Sequence, residues 1–336
     1  MNPPLKLSVL DLCPVPAGST SSQALQNTLD LARFTEQLGY HRYWLAEHHN
    51  FPGLASSAPE IMIGQVAGAT KRLRVGAGGI MLPNHTPLKV AETFRLLEAL
   101  YPGRIDLGLG RAPGTDSLTA QALRRSPEAV YKDDFPERLG DLLCFFGGAF
   151  PDGHPYRPIT AVPADVKTPE LWLLSSSGAT ASLAGQLGLG YAFAHHIHAE
   201  PVFESMRLYR ESLPDGASGR SLIGVLALCA PTDERAEELA AVMDLARLRL
   251  AQGKRALYPT PQEARDYPYS PPELEIVRQN RRRMFVGSVD KVKAQLTDLA
   301  EKAGTRELMI LTVTHDHQDR RESYRLLAEA FGLKPA

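Results

Sequence analysis

The chain has 336 residues, 43% of them hydrophobic and 22% charged, which suits a globular protein built as one large barrel or as two domains. Its 37 basic and 38 acidic residues give a formal net charge of −1, whereas a nucleic-acid-binding surface needs a basic excess. The three cysteines, Cys13, Cys144 and Cys229, offer neither a disulfide framework nor a metal-ligand spacing, as expected in a reducing cytosol. The N-terminus lacks the features of a signal peptide, and no apolar run approaches the ~18 residues that span a membrane. We therefore expect a cytoplasmic protein with neither membrane nor nucleic-acid partners.

Apolar, branched segments alternate along the chain with segments of helical periodicity, which predicts parallel strands joined by helices. The predicted strands are residues 5–12, 40–46, 73–82, 104–110, 171–174, 191–194, 222–230 and 307–313. The predicted helices cover about 20–39, 59–72, 88–100, 136–146, 178–188, 201–213, 234–250, 288–299 and 321–331.

Two stretches interrupt this alternation. Residues 117–170 contain one predicted helix and a Pro/Gly-rich loop, and we interpret them as an insertion because the alternation resumes afterwards. Residues 253–272 carry five prolines and three tyrosines without periodicity, which predicts a long, mobile loop that acts as a lid. Tyr258, Tyr267 and Tyr269 are then candidates for lining an apolar pocket beneath it.

Eight strands alternating with helices predict an α/β fold, a single (β/α)8 TIM barrel over residues 1–336 with these two additions. A doubly wound open sheet is the structural alternative. Its dinucleotide fingerprint is missing, because Gly108 and Gly110 are followed by Pro113 where the third glycine belongs.

The second predicted strand runs directly into Glu47, His48 and His49. Catalytic groups of a barrel lie where its strands end, so this sequence marks a candidate catalytic edge. The alternative is that an adjacent histidine pair is only polar surface after a strand.

A hydroxyl-rich turn, residues 175–180, separates the fifth predicted strand from the next helix. Backbone N–H groups at a helix start, together with hydroxyls and a glycine that permits close approach, favour an anion such as phosphate. An ordinary capped helix start is the alternative, since serine is a favoured cap.

Two further features lie at or near the ends of neighbouring predicted strands. Arg111 could hold a phosphate with two parallel hydrogen bonds, or form an ion pair with Asp116 or Glu137. Gly78 and Gly79 could let a flat ring lie against the backbone, or could relieve crowding inside the barrel. These strand ends are predicted to share one face, and together they suggest a planar, phosphate-bearing cofactor beside the histidine pair.

A metal-dependent hydrolase is a competing interpretation. The pairs His196 and His198, and His315 and His317, have the H-x-H spacing that zinc-dependent barrels use. No acidic ligand is clearly placed at another strand end, so the ligand count disfavours a metal site.

The segments 44–49, 75–83 and 108–111, in this order, resemble the bacterial luciferase-like, flavin-dependent monooxygenase family. The similarity covers nearly the whole chain, and the triple serine is closer to uncharacterised bacterial members than to luciferase itself. Gly110 stands where the light-emitting subunit has a cysteine near the flavin, which argues against light emission.

This resemblance implies reduced FMN, or in some branches the deazaflavin F420, bound at the C-terminal ends of the strands. His48 matches the family's catalytic histidine, a general acid/base near pH 7, and Gly78-Gly79 matches a non-proline cis peptide under the flavin ring. Residues 253–272 match the loop that closes over the flavin. The residues that match the phosphate-binding turn and its arginine are Arg111, Ser176, Ser177, Gly178 and Thr180.

The expected function is a two-component monooxygenase. A separate flavin reductase would supply reduced FMN, since the chain has no dinucleotide motif, and O2 would be used to oxygenate a small organic substrate that the sequence does not name. The alternatives are an F420-dependent oxidoreductase that passes hydride without O2, and a non-catalytic flavin-binding protein, which the retained His48 disfavours. The usual oligomeric state in this family implies a homodimer.

Overall fold

A closed ring of eight parallel strands forms the centre of the molecule, in a computed structural model that describes residues 4–124 and 132–334. Strands β1 to β7 pair in chain order, and β9 joins β7 to β1, which closes the barrel. The predicted (β/α)8 barrel is therefore confirmed. The strands are β1 Lys6–Asp11, β2 Arg42–Leu45, β3 Arg74–Met81, β4 Ile105–Gly110, β5 Glu170–Ser175, β6 Gly190–Ala194, β7 Ser221–Ala230, β8 Met284–Ser288 and β9 Glu307–Leu311.

Helices connect successive strands along the outside of the barrel. Helix α1 shows how they are delimited: the Thr20 side chain accepts a hydrogen bond from the Gln23 N–H, and Gly39 ends the helix in the left-handed conformation. In the described part of the chain the α-helices are α1 Ser21–Leu38, α2 Pro59–Ala69, α3 Pro87–Leu100, α4 Ser117–Arg124, α5 Phe135–Phe145, α6 Ala181–Gln186, α7 Val202–Glu211, α8 Asp233–Ala251, α9 Pro261–Asp266, α10 Pro271–Arg281, α11 Val289–Ala303 and α12 His317–Ala330, and a 3-10 turn covers Leu82–Asn84.

Three elements differ from the sequence-based expectation. Strand β8 is absent from the predicted strands, and it pairs with the C-terminal half of β7 beside the ring. Helix α4 occupies the start of the 117–170 segment. The 253–272 segment is not structureless, because it contains α9 and the first two residues of α10. Each begins with a capping box, in which Thr260 pairs with Glu263 and Ser270 with Glu273.

Alternate residues of each strand face opposite sides of the barrel wall, as the pleat requires. In β1, Val9 packs between the sheet and the helices, whereas Leu10 belongs to a second cluster inside the barrel, with Trp44, Trp172 and Met309. Because these interior residues come from strands around the ring, the barrel centre is filled by side chains.

Charged side chains close the N-terminal end of the barrel. The Arg42 guanidinium donates to Asp106 and to Glu307, each at 2.7 Å, and all three side chains are buried. Asp106 also accepts a hydrogen bond from Trp44 Nε1 at 2.8 Å. This network holds Trp44 inside the barrel and leaves the opposite, C-terminal end for a binding site.

A second buried network ties β1 to the last helix. Asp11, at the end of β1, accepts hydrogen bonds from Arg320 of α12 and from Thr28 of α1, both at 2.8 Å, and from the Tyr43 hydroxyl. Burial acts to raise the pKa of Asp11, but the Arg320 guanidinium outweighs it and holds that pKa below its ordinary value. Asp11 therefore links three elements of the fold through one carboxylate.

Within residues 4–124 and 132–334, no helix combines the length and the apolar character needed to cross a bilayer.

Candidate active site

A cavity of about 590 Å³, here called the main cavity, lies at the C-terminal ends of the barrel strands. This volume is within the range of small-molecule and cofactor sites, roughly 300–1,000 Å³. Barrel enzymes place their active sites at this end. Every strand of the ring contributes to its lining, through Leu10, Trp44, Gly78, Gly110, Ser175, Ala192, Gly224 and Met309 among others.

His48 follows β2 and lines the main cavity. Its imidazole makes no hydrogen bond with a described residue, and its Nδ1 atom is buried. Burial is the main reason that the pKa of His48 falls to about 4, and the neighbouring Glu47 offsets only part of this effect. The ring is therefore neutral at pH 7 and can accept a proton from a molecule in the cavity.

Glu47, the residue before His48, forms hydrogen bonds that stabilise the C-terminal rim of the barrel. Its buried carboxylate accepts hydrogen bonds from the rings of His49 and His85, each at 2.9 Å, and from the Met81 backbone N–H at 2.8 Å. Burial acts to raise the pKa of Glu47, but the hydrogen bonds from His49 and His85 outweigh it and lower the pKa to about 2. Glu47 thus orders the backbone on both sides of His48, and it also forms part of the wall of the main cavity.

The lowered pKa of Glu47 predicts a pH-dependent contribution to stability. A carboxyl group with a folded-state pKa of about 2 and an ordinary value of 4.5 stabilises the fold above pH 4.5, and this stabilisation is lost as the pH falls toward 2. The shift corresponds to about 3 kcal/mol. We expect Glu47→Gln to lower the free energy of unfolding at pH 7 and to lose much of that difference at acidic pH. Urea unfolding of both proteins from pH 7 to pH 3 tests this, and a difference independent of pH would contradict it.

The glycines of β3 allow close approach of the backbone to its surroundings. A Cβ atom on Gly78 would lie 2.9 Å from Leu10 Cδ1, and one on Gly79 would lie 2.8 Å from the Gly108 carbonyl oxygen. The peptide bond between Gly78 and Gly79 is cis. Gly78 lines the main cavity, whereas Gly79 is turned toward β4 and is not among the lining residues.

The turn after β5 presents hydroxyl groups to the main cavity. Ser176, Ser177 and Thr180 line it, and the hydroxyls of Ser176 and Ser177 form no hydrogen bond with any residue in the described ranges. No side chain caps helix α6, so these serines are not used as an ordinary helix cap. Gly178 has a φ of +77° and faces Ser205 Oγ, and it shapes the turn without lining the cavity.

Arg111 follows β4 and lines the main cavity from its open side, where its side chain is 49% exposed. Its guanidinium binds both oxygens of Asp133, with Nε 3.1 Å from Oδ1. Asp116, expected as one possible partner, is instead bound by Arg255. Because the Arg111–Asp133 pair is exposed on both sides, the guanidinium can exchange this partner for another anion at low cost.

A smaller cavity of about 170 Å³, here called the side cavity, adjoins the main one. Four residues line both cavities: Leu12, His48, His196 and Ile197. The Nδ1 atom of His196 donates to the Gly224 carbonyl at 3.0 Å, so Nε2 of the neutral ring is an acceptor. Burial lowers the pKa of His196 to about 4 despite this hydrogen bond. The wall between the cavities therefore carries two imidazoles that are neutral at pH 7.

A family model described as luciferase-like monooxygenase matches residues 5–307. The chain belongs to the luciferase-like monooxygenase family. It is 44% identical to the uncharacterized protein YceB of Bacillus subtilis (strain 168), over 97% of this chain and 99% of the relative. It is 34% identical to the N-acetyl-S-alkylcysteine monooxygenase of the same organism, over 97% of this chain and 98% of that protein. The crystal structure of apo-MsnO8 superposes with a TM-score of 0.89 at 40% identity, covering 99% of this chain and 100% of that one.

The structure of this family member brings most of the predicted site residues together. The residues that line one cavity are His48, Gly78, Arg111, Ser176, Ser177 and Thr180. Gly79 and Gly178 each follow a lining residue in the sequence but do not line the cavity themselves. Of the three tyrosines of the 253–272 segment, Tyr258 lines the side cavity, while Tyr267 and Tyr269 line neither of these two cavities and pack against each other with ring centroids 4.7 Å apart.

The histidines weighed as metal ligands have other partners. His196 bonds Gly224, His198 lies 3.1 Å from Glu200, and His317 lies 2.8 Å from Asp30. Among the residues that the structure describes, no group of three or more His, Cys, Asp and Glu side chains is arranged to hold a metal ion.

The sequence-based prediction missed two features of the site. It assigned no site role to His85, although this ring binds Glu47, which raises the pKa of His85 above its ordinary value in spite of burial. It also missed the side cavity, which α8 supplies with Met243 and Arg247. The presence of an arginine in a charge-rich helix gave no signal that it lines a cavity.

Proposed function

We propose that this protein is a two-component, FMN-dependent monooxygenase that oxygenates a small organic substrate. The main cavity carries this proposal, because it combines a backbone platform at Gly78, three hydroxyls after β5, an arginine with an exchangeable partner and a neutral histidine. A relative at 34% identity is named as a monooxygenase of N-acetyl-S-alkylcysteine, which is a small organic substrate.

The residues at the rim fit a phosphate group. Ser176 and Ser177 offer hydroxyl donors, and Arg111 offers two parallel N–H donors of the geometry that phosphate accepts. Thr180 lines the same turn, and its hydroxyl would have to exchange its bond to the Leu174 carbonyl, at 3.4 Å, for the phosphate. Helix α6 has only six residues, so these side chains would hold the phosphate more than the helix dipole. Leu10, Trp44 and Gly78 would hold the ring system, and the absence of a side chain at Gly78 lets this part of the wall pack closely, since a Cβ atom there would lie 2.9 Å from Leu10 Cδ1.

His48 is proposed to move the proton of the reaction. Reduced FMN, when bound, supplies two electrons and activates O2. Because the His48 ring is neutral at pH 7 and makes no hydrogen bond with a described residue, it is free to take a proton from the substrate and to return it. Glu47 keeps the adjoining backbone in place through His49 and His85.

Exclusion of water is assigned to the 253–272 segment, which we propose moves as a lid. Tyr258 of this segment lies in the wall of the side cavity, and its backbone bonds both Val15 and Ala17 of the β1–α1 connection. The proposal also includes a separate flavin reductase, a homodimer, and one barrel domain that carries residues 117–170 as an insertion.

Anaerobic titration of the purified protein with reduced FMN tests the proposal. Reduced F420 serves as the parallel ligand, and isotopically labelled O2 is then admitted with a panel of small organic compounds. We expect tight binding of reduced FMN and label in an organic product. Binding of reduced F420 alone would indicate an F420-dependent oxidoreductase, and FMN binding without label in any product would indicate a flavin-binding protein that does not catalyse.

Arg111→Ala is expected to weaken binding of FMN about 10- to 100-fold, the loss of a charge-assisted hydrogen-bonded pair, while riboflavin binding stays the same. Asp133→Asn is the matched control, because it removes the present partner of Arg111 and should leave FMN affinity equal or higher. Titrations of both flavins followed by flavin fluorescence measure the difference. An equal loss of affinity for FMN and riboflavin would show that Arg111 does not hold the phosphate.

A further inference from the structure

The side cavity contains an arginine that forms no ion pair with a carboxylate within residues 4–124 and 132–334. Arg247 of α8 donates from Nη2 to the His196 carbonyl oxygen at 2.9 Å and forms no ion pair with any described residue. Asp244, one turn earlier on α8, is bound by Arg281 through two hydrogen bonds of 2.7 and 2.8 Å. Burial and the nearby Arg283 lower the pKa of Arg247 to about 10, so it remains charged at neutral pH.

The rest of this cavity provides no anion either. Its described lining residues include no aspartate or glutamate, and most of the wall is apolar, with Leu226, Met243 and Leu311. Two other cations lie in the wall: Arg249 is paired with Glu263 at 2.6 Å, and Lys254 is exposed to solvent. A partly desolvated guanidinium in an apolar wall is costly unless a ligand supplies the missing charge.

The cavity also supplies a second polar group and a suitable size. The hydroxyl of the buried residue Tyr258 forms no hydrogen bond with a described residue and lies near enough to Arg247 to affect the pKa of Arg247. A cavity of about 150 Å³ holds a benzene molecule, so the side cavity at about 170 Å³ admits a body of similar size.

We propose that the side cavity binds the substrate and that the substrate is a small organic acid. Its carboxylate or sulfonate would bind Arg247 and Tyr258, and its apolar body would lie among the leucine and methionine side chains. Because His48 and His196 line both cavities, a molecule held here lies against the group proposed to move the proton. This inference rests on the proposed function, in which the flavin occupies the main cavity.

Calorimetric titration without flavin tests the site directly. The probes are pentanoate, pentane-1-sulfonate and pentan-1-ol, which share a chain length and differ in charge. We expect both acids to bind the wild-type protein at least about tenfold more tightly than the alcohol, the advantage of a charge-assisted hydrogen bond. Equal affinity for the alcohol and the acids would overturn the inference.

Variants at Arg247 test whether this residue binds the anionic group of the probes. Arg247→Gln should abolish the preference for acids, and Arg247→Lys should retain most of it. The matched control is Arg235→Gln on the same helix, where the arginine is paired with Glu238 and Asp319 on the surface, and this variant should bind the probes like the wild type. A preference that survives in Arg247→Gln would place the anion elsewhere and contradict the inference. Should the glutamine variant fail to fold, loss of the preference in Arg247→Lys would contradict the inference in its place.

These measurements fail separately from the proposed function. A protein that binds reduced FMN but shows no preference for acids would contradict only the substrate class. Binding of the acids through Arg247, without binding of flavin or F420, would support the anion site and contradict the proposed monooxygenase function.

Discussion

His48→Ala is expected to lower kcat/KM by about 10²- to 10⁴-fold, the contribution of a positioned proton-transfer group, while the dissociation constant of reduced FMN stays unchanged. The His48 ring makes no hydrogen bond with a described residue, so its removal leaves no partner unsatisfied and should cost little stability. The loss should therefore appear in turnover and not in folding or in flavin affinity. Steady-state kinetics, flavin titration and urea unfolding of the same variant separate these three effects.

The pH profile gives a second readout for His48. Because burial lowers its pKa to about 4, the ring stays neutral as the pH falls from 8 to about 5 and gains a proton only below that range. Wild-type kcat/KM should therefore stay constant across neutral pH and decline near pH 4. This decline at acidic pH should disappear in His48→Ala. His154→Ala, in the 117–170 segment and outside both cavities, is the control and should keep the wild-type profile. A decline centred near pH 6.5 would mean that the ring is not desolvated in the working enzyme.

Asp11→Ala is expected to lower the free energy of unfolding by about 3–5 kcal/mol, because it leaves the buried Arg320 guanidinium without its carboxylate. The side chains of this pair are 0% and 4% exposed, so water cannot replace the lost partner. Hydrogen bonds from Thr28 and Tyr43 are lost in the same step. Urea unfolding at pH 7 measures the change.

Two further variants serve as comparisons for the Asp11→Ala result. The double variant Asp11→Ala/Arg320→Met should recover part of the loss, because no uncompensated charge then remains in the core. Asp298→Ala removes the exposed pair with Lys302 and should change stability by at most about 1 kcal/mol. If Asp11→Ala cost no more than Asp298→Ala, the Asp11 network would not hold β1 to α12 in solution.

The barrel is predictable because its signals are local. Runs of apolar residues with helix caps between them give the order of elements, and a closed ring is the fold that buries every strand. Strand β8 escapes prediction because residues 284–288 are short and follow three arginines, and nothing in them shows that they pair with the far end of β7. Helices α9 and α10 escape it although their capping boxes, Thr260 with Glu263 and Ser270 with Glu273, are visible in the sequence. The five prolines of this segment favour a loop, whereas Pro261 and Pro271 each stand at a helix start, where proline is favoured.

The candidate site is predictable only as far as strand ends determine it. His48, Gly78, Arg111 and the serines after β5 each follow or end a strand, so the barrel geometry alone brings them to one face. The side cavity cannot be predicted in this way. Its walls join residues beside His48 to α8 and to the segment around Tyr258, about two hundred positions later, and only the packing of α8 reveals that Arg247 turns inward.

The position of Trp44 has a practical consequence. The sequence contains two tryptophans. Trp44 lines the main cavity, and Trp172 lies against it with ring centroids 5.3 Å apart. All indole emission of the protein therefore arises within one cluster at the cavity wall, and a bound chromophore that absorbs in the near ultraviolet or the blue will quench it by energy transfer. Occupancy of the site can thus be followed optically in the unmodified protein, without a label and without knowledge of the substrate.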